Sequence, residues 1–189
     1  LGDVYKRQQR LAVQIVDQNY FQLFNLPESY NLDSRKLVAE YHKLQLEFHP
    51  DKYSNSPESE KMSALSSASY INDAYETLKS PLKRAGYILT LRGKDIASVS
   101  QEDLSMELLM EQMQLRESLD DLPKDDSALS KLEALKDNVQ VKISEKQSNF
   151  HEEVAKDDLS SAKRTFHELQ FLSKLLNEIE ESEETRLGY

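Results

Sequence analysis

The sequence predicts an all-α protein built as an N-terminal helical hairpin followed by a C-terminal antiparallel three-helix bundle. Glycine (4) and proline (5) are scarce among 189 residues, while Leu, Glu, Lys, Ser and Gln abound. Apolar residues recur at helical spacing, and strand-like alternation is nowhere sustained. All five prolines fall between the periodic stretches, where helices need punctuation.

Composition also excludes function classes. With 24 basic against 34 acidic residues the net charge is −10, so the chain lacks the basic surplus that nucleic acid or an anionic membrane would require. There is no cysteine, which removes disulfides, thiolate zinc sites, cysteine nucleophiles and cysteine-held clusters. No apolar run approaches the roughly 20 residues of a membrane span. Residues 1–18 lack both a signal-peptide core and a helical stripe; they are expected to be a fragment, a cloning remnant or upstream translation, extraneous to the fold.

The next division is residues 19–93. Tyr20, Phe21, Leu23, Phe24 and Leu26 form a short apolar segment that Pro27 ends. Asp33 can cap a helix from Ser34 to about Phe48, with the stripe Leu37, Tyr41, Leu44 and Phe48 and Val38 beside it. Pro50 disfavours helical geometry at His49 and stops that helix. Ser56-Pro57 is a cap followed by proline at the first helical position. The helix it opens reaches about Lys79, with Leu65, Ala68, Ile71, Asn72, Tyr75 and Leu78 on one side. Ser80-Pro81 starts a shorter helix from about Leu82 to Leu91, and Gly93 can supply its left-handed stop.

Residues 94–189 form the remaining division. Ser100 to Asp103 reads as a capping signal for a helix to about Leu122. Pro123 with Lys124-Asp125-Asp126 makes a turn. A long helix from about Ser127 to Val154 carries Leu129, Leu132, Leu135, Val139, Ile143, Phe150 and Val154, and Asp157 or Asp158 opens a last helix to about Glu181. Three amphipathic helices with short links give an antiparallel bundle.

Two features go beyond packing. The first is His49-Pro50-Asp51-Lys52, set between an aromatic helix end and a helix carrying Ile71-Asn72-Asp73-Ala74-Tyr75. Pro50 stiffens the turn, so His49 and Asp51 lose little freedom when a partner binds, and Asp51 offers a carboxylate that an arginine can grip. Taken alone, the triplet is also compatible with a capped turn. With its flanks it resembles the J-domain of DnaJ-type co-chaperones, in which this tripeptide lies in the loop of a helical hairpin. The resemblance covers about Tyr20 to Leu78. It implies docking on a DnaK-type ATPase chaperone by His49, Pro50 and Asp51, helped by Lys52, Arg35, Lys36 and Lys43. General J-proteins have a strongly basic helix before the loop. Here Asp33 to Phe48 holds three basic and three acidic residues, so steering toward a general chaperone is weak and a specialised one is expected.

The second feature is the helix after residue 100. At 100° per residue Leu104, Leu108, Leu115, Leu119 and Leu122 fall within about 40° of one direction. Met106, Leu109, Met110 and Met113 cluster about 100–200° away, a side that Gln114, Glu117 and Asp121 continue. A surface helix needs only one apolar face, so either a neighbouring domain covers the second or it binds a partner. In the last helix Ala162, Thr165, Phe166, Leu169, Leu172, Leu176 and Ile179 form the core side, and Phe171 lies about 160–200° from its centre. An outward aromatic beside an outward Leu/Met patch favours a partner surface.

Residues 108–117, LLMEQMQLRE, resemble the signature of HscB-type J-proteins, which serve iron–sulfur cluster biogenesis, and YFQLFNLP at 20–27 looks like their opening motif with Asn25 where Gly is common. The resemblance, which extends over nearly everything from residue 19 onward, implies that the C-terminal bundle binds an IscU-type iron–sulfur scaffold through Leu109, Met110, Met113, Gln114, Glu117, Asp121 and Phe171. Relatives often carry Glu at the position of Gln114. It implies an HscA-like chaperone, no cofactor, no metal, and no nucleic-acid or membrane partner. The expected compartment is the bacterial cytoplasm ahead of the mitochondrial matrix, since no convincing transit peptide precedes the domain. An enzyme is not expected. His42, His49, His151 and His167 stand at non-ligand spacings and no glycine-rich phosphate loop exists. The alternative within the class, a general J-protein delivering unfolded clients, would carry glycine-rich or cysteine-rich client modules, which this sequence lacks.

Overall fold

A computed structural model describes Ile15, residues 17–100 and residues 105–187. Among the described residues there are seven α-helices, two short 3-10 turns and no strand. The chain divides into two compact units, Leu1–Ile88 and Leu89–Tyr189.

In the first unit α1 (Tyr20–Leu23) is only one turn long and is held by a capping box, Asn19 and Gln22 each bonding the other's backbone N–H. Helix α2 (Ser34–Glu47) starts where Asp33 accepts the N–H groups of Arg35 and Lys36, and α3 (Glu58–Lys79) packs back against it. Phe21, Leu23, Phe24, Leu37, Phe48, Ile71, Ala74 and Leu78 fill the core. The buried face of α3 is Ala64, Ser67, Ile71, Ala74 and Leu78, so the predicted stripe is out of phase at its start, where Leu65 is 56% exposed. Small side chains, Ala64 and Ser67, occupy the buried positions in the first half of α3, and larger ones, Ile71 and Leu78, flank Ala74 in its second. Pro57 itself is the N-cap residue of α3, one position later than predicted, and no side chain caps that end.

Helix α4 (Pro81–Leu91) ends in the expected left-handed turn, with Gly93 at φ 76° and the Lys94 N–H bonded to the Leu89 carbonyl. Buried Arg84 donates to the carbonyls of Leu78 and Tyr30, tying the loop after α1 to the α3–α4 junction. Residues 1–14, part of the segment set aside as extraneous, lie outside the described residues. Its end belongs to the unit: Ile15 is buried and the Tyr70 hydroxyl donates to the Gln18 carbonyl.

The second unit contains α5 (Met106–Asp120), α6 (Leu129–Ala155) and α7 (Leu159–Leu187). Leu115, Leu132, Val139, Leu172, Leu175 and Ile179 form its buried cluster. Lys136 pairs with Glu180 and Glu183 while Lys146 pairs with Glu168, so α6 and α7 run antiparallel. Ser105, not Ser100, caps α5, its hydroxyl accepting the Leu108 N–H; Asp103 and Leu104 lie outside the described residues. The two aspartates after α6 divide the work. Asp157, at φ 58°, ends α6 in a left-handed turn, and Asp158 caps α7 by accepting the Ser161 N–H. Helix α7 runs to Leu187, past the predicted end.

Candidate functional site

The loop between α2 and α3 is built by the residues it presents. Phe48 closes α2 and is buried, which anchors the chain on the core side. His49 is extended (φ −61°, ψ 126°), the conformation a following proline imposes. Pro50–Tyr53 then form a single 3-10 turn, with the Lys52 N–H bonded to the His49 carbonyl at 3.0 Å. The His49 ring caps that turn: its Nδ1 accepts the Asp51 N–H at 3.3 Å, so Nε2–H is the donor left to the ring. The Asp51 carboxylate lies 3.6 Å from the same Nδ1 and its side chain is 91% exposed. Imidazole and carboxylate thus stand on one side of a stiff turn, free to engage a partner.

The basic residues assigned to this site are distributed along α2. Lys52 is part of the loop. Arg35 and Lys36 stand at the far end of α2, about 20 Å of helix away, and the Lys36 ammonium is bonded to the Asn25 carbonyl at 2.6 Å. Asn25 has φ 50°, the left-handed conformation that glycine adopts most readily and asparagine tolerates. Lys43 lies 3.6 Å from Glu40.

Sequence reasoning missed a groove of about 340 Å³ beside the loop, walled by His49 and Pro50 and floored by Leu65, Ala68 and Ile71. Gln45 and Asn72 line it and bracket Tyr41, whose hydroxyl accepts from Gln45 and donates to Asn72, each at 3.0 Å. The out-of-phase Leu65 was the signal in the sequence.

In the second unit α5 has one buried residue, Leu115, with Leu108 and Leu119 partly buried and Leu122 partly buried just past its end. Ion pairs from Glu111 to Lys142 and from Arg116 to Glu178, at 2.9 Å, hold it to α6 and α7. Leu109, Met110 and Met113 are exposed, and Gln114, Glu117 and Asp121 continue the same side of the helix. Phe171 departs from the sequence reading. It is partly buried against the core cluster and lines a groove of about 170 Å³ with Leu108, Gln112, Leu115 and Lys146, on the flank of α5 turned toward the bundle. The structure therefore gathers the α5 residues into one face and sets Phe171 beside it, under partial cover.

Among the described residues no three His, Asp or Glu side chains converge as a metal site. Among the same residues no helix is long and apolar enough to cross a membrane. His167 is buried, its Nδ1 3.0 Å from the Gln170 amide oxygen.

A stiff His-Pro-Asp turn at the tip of an antiparallel hairpin defines the J-domain class of co-chaperones, and the family model for the DnaJ domain matches residues 19–87. The model described as the HSCB C-terminal oligomerisation domain matches residues 104–180. The chaperone HscB from Vibrio cholerae shares 34% identity over 89% of this chain and 99% of its own, with a TM-score of 0.80. The human co-chaperone protein HscB shares 28% over 86% and 81%, at 0.79. The Jac1 co-chaperone from Saccharomyces cerevisiae has the same fold at 22% identity over 87% and 93%, with a TM-score of 0.69. The chain belongs to the HscB family, J-domain co-chaperones of iron–sulfur cluster assembly.

Proposed function

We propose that the protein binds an IscU-type iron–sulfur scaffold, delivers it to an HscA-like, DnaK-type chaperone and stimulates that chaperone's ATPase, promoting cluster transfer. The observation that carries this reading is the uncovered apolar face of α5, with Met110 55% and Met113 65% exposed on a helix that already has a core side. A general J-protein has no need of a discrete second face.

At the hairpin tip, Asp51 accepts hydrogen bonds from a cationic group of the chaperone while His49 and Pro50 shape the contact, and Lys52, Lys43, Arg35 and Lys36 supply weaker steering. The site breaks no bond itself; ATP hydrolysis belongs to the partner. On α5, Leu109, Met110 and Met113 meet an apolar strip of the scaffold, and Glu117 and Asp121 select basic groups next to it, with Gln114 supplying a neutral contact. Phe171 adds an edge contact from its groove. The compartment is a bacterial cytoplasm, a reading supported by the identity with the Vibrio cholerae protein.

The test is ATP turnover by an HscA-like chaperone with this protein, with and without an IscU-type scaffold. The proposal expects synergy between scaffold and co-chaperone; simple additivity would leave the general J-protein reading in its place.

A further inference from the structure

The chain has no cysteine and four methionines, so its entire sulfur chemistry resides in Met62, Met106, Met110 and Met113. None is in a core: their exposures are 62%, 74%, 55% and 65%. The buried apolar residues are instead Leu, Ile, Val, Phe, Ala and one Tyr among the described residues. Three of the four share one stripe of α5. Met106, Met110 and Met113 are spaced i, i+4, i+7, a row about 10 Å long that begins at the first helical residue after the Ser105 cap. Leucine would supply similar apolar area in a better-defined shape. What methionine adds is a flexible, polarisable thioether that can be oxidised and restored.

We propose that Met106, Met110 and Met113 form a reversible oxidation site, at which a peroxide turns the apolar docking row polar and releases the scaffold. The inference rests on the scaffold-docking role of this face. The thioether lone pair attacks one peroxide oxygen, and an S–O bond forms as the O–O bond breaks. Sulfur gives up two electrons, and the departing hydroxide takes the proton left on the transferred oxygen and leaves as water. A sulfoxide reductase fed by a dithiol reverses the step: the oxygen leaves as water, sulfur regains its electrons and the dithiol closes to a disulfide. Each sulfoxide places a strong acceptor where an apolar partner surface offers no donor, so every contact along the row becomes an unpaired polar group.

The test treats the intact protein with hydrogen peroxide, removes the peroxide with catalase, maps added oxygen by peptide mass spectrometry and measures IscU-type scaffold affinity by calorimetry. The row should gain one oxygen per methionine and the Kd should weaken by about tenfold or more. Sulfoxide reductases with dithiothreitol should restore it. The triple variant Met106→Leu/Met110→Leu/Met113→Leu, whatever its starting affinity, should show the same Kd before and after peroxide. Met62→Leu should remain as sensitive as the wild type. Unchanged affinity of the oxidised wild type would overturn the proposal, and so would a triple variant that loses as much affinity as the wild type. An untreated wild type that binds no scaffold would overturn the docking role instead, and the release step with it.

Discussion

The hairpin tip and the exposed face of α5, the two docking surfaces proposed above, are made by opposite means. The tip is made by backbone: a proline, a 3-10 turn and an imidazole that caps it fix where Asp51 is presented. The α5 face is made by omission, a helix buried along one side and left bare along the other. Charge separates them further. Residues 1–88 hold 11 basic and 11 acidic side chains, whereas residues 89–189 hold 13 and 23. The whole net charge of −10 therefore belongs to the unit that carries the α5 face. A rigid, locally neutral turn suits a contact that depends on one well-placed carboxylate. A soft apolar row in an acidic unit suits a partner chosen by shape adaptation and long-range attraction.

The largest effect should come from the tip. Asp51→Asn removes one charge from an exposed side chain and is expected to abolish ATPase stimulation, while helical circular dichroism and scaffold affinity stay unchanged. A parallel loss of scaffold affinity would mean that the two sites are not separable. Next in size is a contrast within the second unit. Phe171→Ala opens space beside Leu172 and should cost about 2 kcal/mol in urea unfolding, whereas Met110→Ala, at an exposed position, should stay within about 0.5 kcal/mol yet weaken scaffold binding. Equal unfolding free energies for the two variants would put Phe171 back on the open surface.

Salt should divide the sites as well. Stopped-flow association with the scaffold is expected to slow by about tenfold from low to high ionic strength, and association through the tip to change far less. The smallest effect concerns Glu153. Burial raises its pKa above the usual carboxylate range, against a hydrogen bond from Thr165; Asp158 and Glu168 add repulsion and Lys146 attraction. Because the folded pKa is raised, protonation favours the fold, and the penalty appears as pH rises through that folded value. Glu153→Gln should therefore raise the melting temperature slightly at pH 7, the gain kept small by solvent screening of a half-exposed group. That gain should vanish as pH falls through the raised pKa toward the unfolded value. A gain that persists in acid would assign the effect to packing.

How far these sites could be read from sequence follows the same contrast. A backbone device leaves a local trace, and His49-Pro50-Asp51 with the Asp33 cap and Gly93 stop was legible residue by residue. A bare helix face was legible as a second apolar direction on α5, because periodicity reports every direction a helix uses. Phe171 was not. An angular reading assumes one neighbour, but α7 meets both α5 and α6, so its buried arc is wide enough to include His167 and Leu175 and to half-cover Phe171. The inner face of α3 was missed for a different reason. The buried positions at its start hold Ala64 and Ser67, which carry little hydrophobic signal, while Leu65 carries much and lies outside.

The central claim is that one chain must carry both surfaces, so that the scaffold is brought to the chaperone by being tethered to the loop that activates it. It is tested most directly by mixing Asp51→Asn with Met110→Ala/Met113→Ala in equal amounts and measuring scaffold-dependent ATP turnover by the chaperone. Each variant keeps one intact surface. The account predicts that the mixture stays at the level without synergy, far below the wild type. Recovery of wild-type synergy by the mixture would show that the two surfaces work independently, and would contradict it.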